Sequence, residues 1–317
     1  MEAMSAGVVV VGAGLAGIAA ARTLRAAGVE VRVLDRGHRI GGRMASRRYG
    51  DRVADIGASY FTVSEPAFEA VAADWRRRGL VRGWTDTFSV SADGVLSAKT
   101  GPLRWAATAG LRSLVEDLAL GLDVREQTVT RIGPGPTVDG EPAAAVLLAM
   151  PDPQARRLLD PSFALELAAL DDPFEPVLAL TARWSERRWP HLDGVFVADH
   201  PVLTWIADDG RRRGDAAPVL VAHSSAPFAA EHLEAPDRAT SALVAAVRAV
   251  LGIETDPVTA SVHRWTYAKP TGRRDRAFHL GPGLVGLCGD SWSDRPRVES
   301  AYLSGVAAAE ELLRRLA

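Results

Sequence analysis

The chain has 317 residues, of which 47% are apolar, and a formal net charge of −2. That length suits two domains or one elaborated domain. The near-neutral charge does not predict a basic surface for binding nucleic acid or an anionic membrane. The single cysteine, Cys288, excludes an intramolecular disulfide and a cysteine-based metal site. The seven histidines show no HExxH or closely paired spacing, and no GxSxG motif occurs, so hydrolase and metalloenzyme functions lack support and no metal is expected.

The compartment and the surface arginines are also predicted from composition. The apolar start lacks the basic residues of a signal peptide, and no apolar run reaches the roughly 18 residues that span a bilayer. We therefore expect a soluble, cytoplasmic protein. The arginine clusters at 76–78 and 211–213 are interpreted as a solvated helix end and a solvated loop.

The first elements in chain order are a strand, a glycine loop and a helix, written VVVVGAGLAG at 8–17. Four valines predict a buried strand. Gly12 allows a sharp turn, Gly14 lets the backbone approach a pyrophosphate, and Gly17 lets the helix lie close to the sheet. The helix is predicted to end at Gly28.

A second strand, residues 30–34, delivers an acidic residue, Asp35, whose carboxylate can accept hydrogen bonds from ribose hydroxyls. Strand, glycines, helix, second strand and acid in this register predict a dinucleotide site, with the phosphates at the helix N-terminus. The residues predicted to contact the nucleotide here are Gly12, Gly14, Leu15, Ala16, Gly17, Asp35 and Arg36.

A second glycine pair, Gly41-Gly42, followed by Arg43 and Met44, comes a few residues after the acidic strand. This spacing resembles the large FAD-binding family that includes amine oxidases and phytoene desaturases. In that family the doublet lets the chain pass close to the diphosphate and ribityl chain, and the arginine adds charge near the phosphates. The resemblance implies FAD rather than NAD as the tightly held cofactor, with Gly57 and Ala58 also near it.

The middle of the chain has a different character. Helices are predicted at 64–79 and 111–122, and strands at 124–132 and 143–151. From 173 to 267 short alternating strands follow one another and predict a mostly antiparallel sheet, interrupted by a helix at 237–252. We interpret this part as a substrate domain whose sheet covers one side of the flavin.

The C-terminal residues return to the cofactor. Residues 283–288 predict a buried strand, and VESAYLSGVAAAEELLRRLA predicts a closing amphipathic helix. In FAD proteins of this type the last strand lies beside the first, and its acidic residue holds the ribityl hydroxyls; Gly289 and Asp290 match. The helix start, with Val298, Glu299 and Ala301, would aim its amides at the flavin pyrimidine edge.

These elements predict an α/β protein. It has a Rossmann-type FAD-binding domain of the glutathione-reductase-2-like kind and an interleaved α+β substrate domain. The predicted FAD-binding domain comprises 1–60, 101–160 and 278–317, and the substrate domain comprises 61–100 and 161–277.

Several longer motifs resemble the renalases, particularly the bacterial members. They are ADIGASYFTV at 54–63, VLLAMPDPQARRLL at 146–159, LTWIAD at 203–208, VHRWTYAKP at 262–270 and CGDSWSDRPRVESAYLSGVAAAE at 288–310. The resemblance implies an FAD-dependent oxidase that takes a hydride from 2- or 6-dihydropyridine isomers of NAD(P)H. Dioxygen would reoxidise the flavin to give hydrogen peroxide and NAD(P)⁺. A dihydropyridine gains aromaticity by losing its hydride, so no general base is obligatory.

Five aromatic or imidazole side chains are candidates for the substrate side of the flavin: His263, Trp265, Tyr267, Trp292 and Tyr60. Stacking on a pyridine ring and ordinary core packing both remain open for the aromatic residues. His263 and Trp265 share a strand face opposite to Arg264. Cys288 is poorly placed for a thioether, so we expect non-covalent FAD.

The sequence departs from the renalase pattern in substrate-domain loops, including DDGRRRGD at 208–215 and Phe228, where tryptophan is expected. Two alternatives therefore remain: a flavin amine oxidase or related desaturase on the same fold, and a non-catalytic flavin-binding module. The expected partners are a dihydropyridine nucleotide and O2, with no nucleic acid and no membrane. The protein is expected to be a monomer or homodimer.

Overall fold

A computed structural model describes residues 7–50, 52–92 and 94–317. Up to residue 118 the elements are β1 (Val8–Val11), α1 (Leu15–Ala26), β2 (Val31–Asp35), a 3-10 turn (Gly42–Met44), β3 (Ser46–Tyr49), β4 (Arg52–Asp55), α2 (Pro66–Arg77), β5 (Val81–Ala92), β6 (Val95–Ala107) and α3 (Leu111–Leu118). The next are β7 (Asp123–Glu126), β8 (Ile132–Gly133), β9 (Thr137–Val138), β10 (Glu141–Pro142), β11 (Ala145–Leu148), α4 (Asp152–Arg156), α5 (Ala164–Ala169), β12 (Phe174–Arg183), β13 (Gly194–Val197) and β14 (Leu203–Asp208). The last are α6 (Asp209–Arg213), β15 (Val219–Ser224), α7 (Ala226–Glu231), a 3-10 turn (Pro236–Ala239), α8 (Thr240–Leu251), β16 (Thr259–Pro270), β17 (His279–Leu280), β18 (Val285–Leu287) and α9 (Val298–Leu316).

The first of two large sheets has the strand order β17-β18-β11-β1-β2-β7 and is parallel except for β17. All four valines of β1 are buried, as expected for a central parallel strand covered on both faces. Helices α1 and α9 pack against each other, and a Cβ on Gly305 would overlap the carbonyl oxygen of Ala16. The small residue at 305 is therefore what lets the closing helix approach the first one.

The predicted position of the last strand, beside the first, is wrong. Strand β18 pairs with β11, and β11 pairs with β1. Residues 145–148 match 8–11 one to one on one side of β1, and residues 31–34 do so on the other, so no place beside β1 remains. Strand β18 still ends at the same edge as β1, because both run parallel.

The second large sheet has the order β16-β12-β15-β14-β13-β5-β6 and is antiparallel except for the β13–β5 pair. One face buries an aliphatic core against α8, with Leu243 and Val247 fully covered. The other face lies toward the glycine-rich segments. The α/β fold with a Rossmann-like unit and a mostly antiparallel second sheet is thus confirmed.

Two stretches differ from the predicted secondary structure. The strand predicted at 124–132 ends at Glu126, after which the Asp139 carboxylate accepts the amide hydrogens of Thr130 and Arg131. The long β5–β6 hairpin was not predicted, and β6 passes through residue 100, where we placed a domain boundary, within one sheet. Among the described residues, no helix combines the length and apolar character needed to cross a bilayer.

Candidate functional site

The carboxyl ends of β1, β2, β11 and β18 meet at one edge of the first sheet, where open α/β sheets bind their ligands. Gly12 leaves β1 with a φ of +107°, and its amide donates to the Leu34 carbonyl at 2.8 Å. A Cβ at this position would lie 2.5 Å from the Ala149 carbonyl oxygen. Both the backbone angle and the close approach therefore require glycine here.

The other two glycines of the loop serve different purposes. A Cβ on Gly17 would overlap the Gly12 carbonyl oxygen, so Gly17 is needed for packing. A Cβ on Gly14 would meet only the Gly42 Cα, at 4.0 Å, which is ordinary contact. The space beside Gly14 is thus open within the protein itself, as a phosphate-binding glycine requires.

The N-terminus of α1 points its free amides into this space. Its N-cap is Gly14, no side chain caps it, and its first turn, LAGI, contains no acidic residue. The carboxylate of Asp35 lies over the same loop, accepting the amides of Ala13 at 2.6 Å and Gly37 at 2.7 Å. Arg36 is exposed, whereas Leu15 and Ala16 are buried in the first turn of α1.

The second glycine pair runs directly alongside the first loop. The Gly41 amide donates to the Ala13 carbonyl at 2.9 Å, and Gly41 and Gly42 have φ of +116° and +51°. Met44 is buried beneath them. The pair therefore closes the nucleotide groove from the opposite side.

Arg112 is a site residue that the sequence analysis missed. Its guanidinium donates to the carbonyl oxygens of Ser46 at 3.1 Å and Ile40 at 2.5 Å, and it packs against Gly41. It therefore holds the glycine pair in place from α3. The available signal was Gly110, which marks the start of the helix that carries it.

Arg43 and Asp290 form a two-pronged ion pair, with N–O distances of 2.9 and 2.5 Å. We expected Arg43 beside the phosphates and Asp290 on the ribityl hydroxyls; the structure places these two side chains on each other. Arg43 also donates to the Ala268 carbonyl at 3.2 Å, at the end of β16. The pair joins the glycine doublet, the loop after β18 and the second sheet at one point.

These features fit FAD. A glycine groove, uncapped helix amides and an acid at the end of β2 match the diphosphate and adenosine half of a dinucleotide. Asp290 and the start of α9 lie further along the chain on the same edge, where the riboflavin half would extend. Burial raises the pKa of the Cys288 thiol to about 12, so it is protonated and not a nucleophile at neutral pH.

Residues 55–60, called the contact stretch below, connect the glycine doublet to the second sheet. The Ile56 amide donates to the Ala45 carbonyl oxygen at 3.1 Å, and the Ala58 amide donates to the Arg43 carbonyl oxygen at 2.9 Å. A Cβ on Gly57 would overlap the Arg43 carbonyl oxygen, so this close approach requires glycine. Gly57 and Ala58, which we predict to lie near the cofactor, thus lie directly against the GGR segment.

The second sheet presents one row of side chains toward the contact stretch. His263, Ala179, His223, Trp205 and Phe196 occupy matching register positions on five adjacent strands. The indole N–H of Trp205 donates to Ser59 Oγ at 3.0 Å. Two residues beyond His263, the Trp265 indole N–H donates to the Ile56 carbonyl at 2.8 Å. The predicted aromatic residue Trp265 therefore holds the contact stretch.

Both histidines of this row are neutral at physiological pH. Burial, followed by the charges of Arg47, Arg112 and Arg264, lowers the pKa of His263. Burial, followed by the charge of Arg212, lowers the pKa of His223 to about 4. The charges acting on both rings are cationic.

The remaining catalytic candidates lie in three separate places. Tyr60 joins an aromatic cluster with Trp84, Phe88 and Trp205, at ring distances of 5.3 to 6.2 Å. Trp292 is buried, with the Arg274 guanidinium 4.2 Å from its ring. The Tyr267 hydroxyl accepts a hydrogen bond from Arg157, and its ring lies 6.5 Å from that of Phe174.

The residues predicted at the start of α9 differ in burial and in what they contact. Helix α9 begins at Val298, as expected, and Val298 and Ala301 are partly buried. The Glu299 carboxylate accepts the amides of Ser64 at 2.7 Å and Glu65 at 2.8 Å and is buried. Its side chain therefore holds the start of α2. Gly289, with a φ of +151°, donates to Ser304 Oγ at 2.9 Å.

The interpretation of 211–213 as a solvated loop is wrong for two of its arginines. Arg212 is fully buried and Arg213 is 5% exposed, because Asp209 and Asp55 are buried beside them. Arg52 reaches the same group through Asp209 at 2.5 Å. Oppositely charged neighbours on β4 and α6 thus draw these side chains inside.

Comparison with known proteins agrees with this geometry. Residues 10–75 match the family described as NAD(P)-binding Rossmann-like domain, and residues 65–313 match the family described as flavin containing amine oxidoreductase. A Mycobacterium tuberculosis protein named as a flavin-containing monoamine oxidase, AofH, is 45% identical over 67 residues. That match covers 21% of this chain and only 15% of AofH.

Solved structures share the fold over nearly the whole chain. Cyclohexylamine oxidase from Brevibacterium oxydans superimposes with a TM-score of 0.78 at 14% identity, covering 98% of this chain and 99% of that one. A triple mutant of putrescine oxidase gives 0.76 at 17% identity, with the same coverage. The chain belongs to the flavin-containing amine oxidoreductase family.

Proposed function

We propose that this protein is an FAD-dependent oxidase of dihydropyridine isomers of NAD(P)H, the 2- and 6-dihydro forms. The substrate loses a hydride and becomes NAD(P)⁺. Dioxygen receives the two electrons and, with that hydrogen and one proton from solvent, becomes hydrogen peroxide. When bound, FAD supplies the hydride-accepting N5 atom.

The observation that carries this proposal is the sign of the charges around His263. Arg47 and Arg112 act most strongly on its ring, and Arg264, on the opposite strand face, acts less. A cationic surrounding attracts the diphosphate of a dinucleotide and repels a protonated amine. The sequence motifs at 262–270 and 288–310 support the same substrate class.

The proposed reaction needs orientation and exclusion of water more than proton transfer. A dihydropyridine gains aromatic stabilisation when the hydride leaves, so neither neutral histidine has to act as a base. Trp265 and Trp205 fix the contact stretch, and Gly57 keeps it against Arg43. These residues would hold the contact stretch in place as one surface against which the pyridine ring is oriented.

Amine oxidation is the second candidate. It is favoured by Tyr60, a partly exposed ring at the edge of the buried cluster of Trp84, Phe88 and Trp205, which an alkyl ammonium would contact. It is also what the names of putrescine oxidase and cyclohexylamine oxidase state for those two structural neighbours.

An anaerobic titration separates the candidates. FAD-loaded protein is mixed with 2-dihydro-NADH, 6-dihydro-NADH, ordinary NADH, putrescine or cyclohexylamine, and loss of the visible flavin absorbance is followed. We expect rapid bleaching by one or both isomers and none by the amines. Bleaching by an amine alone would replace the proposal with its alternative.

The charge argument can be tested separately. Arg47→Gln should raise KM for the reactive isomer about threefold with kcat little changed, because it removes an attraction present in ground and transition states alike. Arg48→Gln is the matched control, since Arg48 is an equally exposed neighbour on the other face of strand β3. Equal effects of the two substitutions would remove this support.

A further inference from the structure

Arg212 carries a fully buried guanidinium that the proposed chemistry does not use. Its side chain is 0% exposed and is ion-paired with Asp209, which is equally buried. It lies on α6, which begins at the residue after β14 and is therefore held by the second sheet. Burial alone would lower the pKa of Arg212, but Asp209 and Asp55 raise it overall, so the group is charged.

This guanidinium reaches both ends of the contact stretch. It donates to the Ser59 carbonyl at 3.2 Å and to the Asp55 carbonyl at 3.4 Å. Trp205, on β14, adds the bond from its indole N–H to Ser59 Oγ at 3.0 Å. With the Trp265 bond to the Ile56 carbonyl, the second sheet and α6 therefore tether the stretch at Asp55, Ile56 and Ser59, with Gly57 and Ala58 between the last two.

The opposite side of the stretch bonds to the cofactor segment. Ile56 and Ala58 donate to the carbonyl oxygens of Ala45 and Arg43, directly after the glycine doublet. The Asp55 carbonyl belongs to the same peptide unit as the Ile56 amide, and the Ser59 carbonyl lies two peptide units from the Ala58 amide, so a shift of either carbonyl would be passed to these bonds. The position of the stretch relative to the doublet is thus set from both sides.

We infer that Arg212 and Trp205 are positioning residues that fix the contact stretch at the distance from the glycine doublet that bound FAD requires. The inference concerns placement of the cofactor and holds whichever substrate is oxidised. Lysine at 212 could still pair with Asp209, but a single ammonium cannot reproduce the planar fork that reaches two carbonyls as well.

Arg212→Lys tests the inference, with Arg211→Lys as the matched control. Arg211 lies on the same helix, is 31% exposed and pairs with Asp193 at 2.9 Å. Three quantities are measured: the FAD dissociation constant of the apoprotein, the visible circular dichroism of the bound flavin, and the thermal midpoint of the apoprotein. For Arg212→Lys we expect FAD binding about tenfold weaker, the loss of roughly one charged hydrogen bond, and an altered flavin dichroism. For Arg211→Lys both should match the wild type.

A merely structural role would lower the thermal midpoint and leave the flavin dichroism unchanged. A folded Arg212→Lys protein with wild-type FAD affinity and dichroism therefore overturns the inference. If Arg212→Lys does not fold, Trp205→Phe decides, since it keeps an aromatic side chain and removes the indole N–H that bonds Ser59. We expect Trp205→Phe to bind FAD about threefold more weakly with altered dichroism, a smaller effect because a neutral hydrogen bond is lost. Wild-type values for Trp205→Phe would reject the inference.

Discussion

Two glycines three residues apart in the nucleotide loop show how a single Cβ separates packing from binding. Gly17 has the Gly12 carbonyl oxygen where its Cβ would be, whereas Gly14 has only the Gly42 Cα, 4.0 Å away. The motif requires glycine at both positions, but for different reasons. One position is closed by the protein and the other is left open for a ligand.

Alanine substitution should separate these roles. Gly14→Ala should cost the apoprotein about 1 kcal/mol or less, the difference between glycine and alanine at an N-cap, and weaken FAD binding at least about tenfold. Gly17→Ala should cost the apoprotein about 3 kcal/mol through the clash. Urea unfolding of the apoproteins and FAD titration measure both. If Gly14→Ala destabilised the apoprotein as much as Gly17→Ala, the space beside Gly14 would not be a ligand space.

Glu299 gives a pH prediction at the same scale. Burial would raise the pKa of its carboxyl, but the bonds from Ser64 and Glu65 and the charge of Arg297 hold it below its ordinary 4.5. A lowered pKa in the folded state means that the stabilisation is complete above 4.5 and is lost as the pH falls through the folded value.

Glu299→Gln should therefore lower the unfolding free energy by about 1 to 3 kcal/mol at pH 7, and the gap to the wild type should narrow below pH 4.5. Urea unfolding of the apoproteins at pH 7, 4 and 3 measures this gap. Glu310→Gln, at an exposed position of the same helix, is the control. A gap independent of pH would show that the stabilisation does not depend on the ionised form of Glu299.

At the scale of elements, α9 depends on its contact with α1. Residues 298–316 have one apolar and one polar face, which predicts the helix, but the absence of a side chain at Gly305 is what leaves room for the Ala16 carbonyl of α1. Because α1 also presents its N-terminal amides to the diphosphate, packing of the last helix and cofactor binding are connected.

Gly305→Ala should lower the unfolding free energy by about 1 to 3 kcal/mol, since the new methyl group overlaps the Ala16 carbonyl oxygen. It should also weaken FAD binding by displacing the first turn of α1. Thermal unfolding and FAD titration measure the two effects. Gly283→Ala, whose Cβ would meet only a Phe163 ring carbon at 3.6 Å, should change neither.

At the scale of the whole molecule, the small β3–β4 sheet and the contact stretch are joined to the second large sheet and α6 by charged and hydrogen-bonded contacts. Arg52 meets Asp209 at 2.5 Å, Arg213 meets Asp55 at 3.2 Å, and Trp265 donates to Ile56 at 2.8 Å. Breaking one partner of a buried pair leaves an uncompensated charge, so separating the sheets would be costly.

We therefore expect the apoprotein to unfold in one cooperative transition. FAD at about a hundred times its dissociation constant should add about 2.7 kcal/mol to that same transition. Calorimetry or denaturant unfolding, followed by both tryptophan fluorescence and far-ultraviolet circular dichroism, tests this. Two separate transitions, of which only one responds to FAD, would contradict it.

The nucleotide half of the site was predictable because its chemistry follows from local residues. Glycine spacing, the acid at the end of β2 and the helix that begins after Gly14 all lie within 35 residues of the chain start. Backbone angle and close approach leave few alternatives to glycine at such positions. The Gly41-Gly42 doublet extended this to FAD, which the family match confirms.

The substrate half was less predictable, because its residues meet only through long-range pairing. Trp265 and Ile56 are 209 residues apart, and Arg43 and Asp290 are 247 apart. Sequence patterns gave the strands their faces but not their neighbours. Arg212 was misjudged for the same reason, since the acids that neutralise it include Asp55, far away in the chain.

The sequence by itself determined that this chain builds a glycine-lined nucleotide groove and a mostly antiparallel second sheet. Both follow from backbone sterics and from the period of apolar residues, which act over a few residues at a time. Only the tertiary structure decided that Arg43 holds Asp290, that β11 separates β18 from β1, and that the second sheet tethers residues 55–60. Those outcomes depend on which distant charges and donors become neighbours when water is excluded, and no local pattern specifies that.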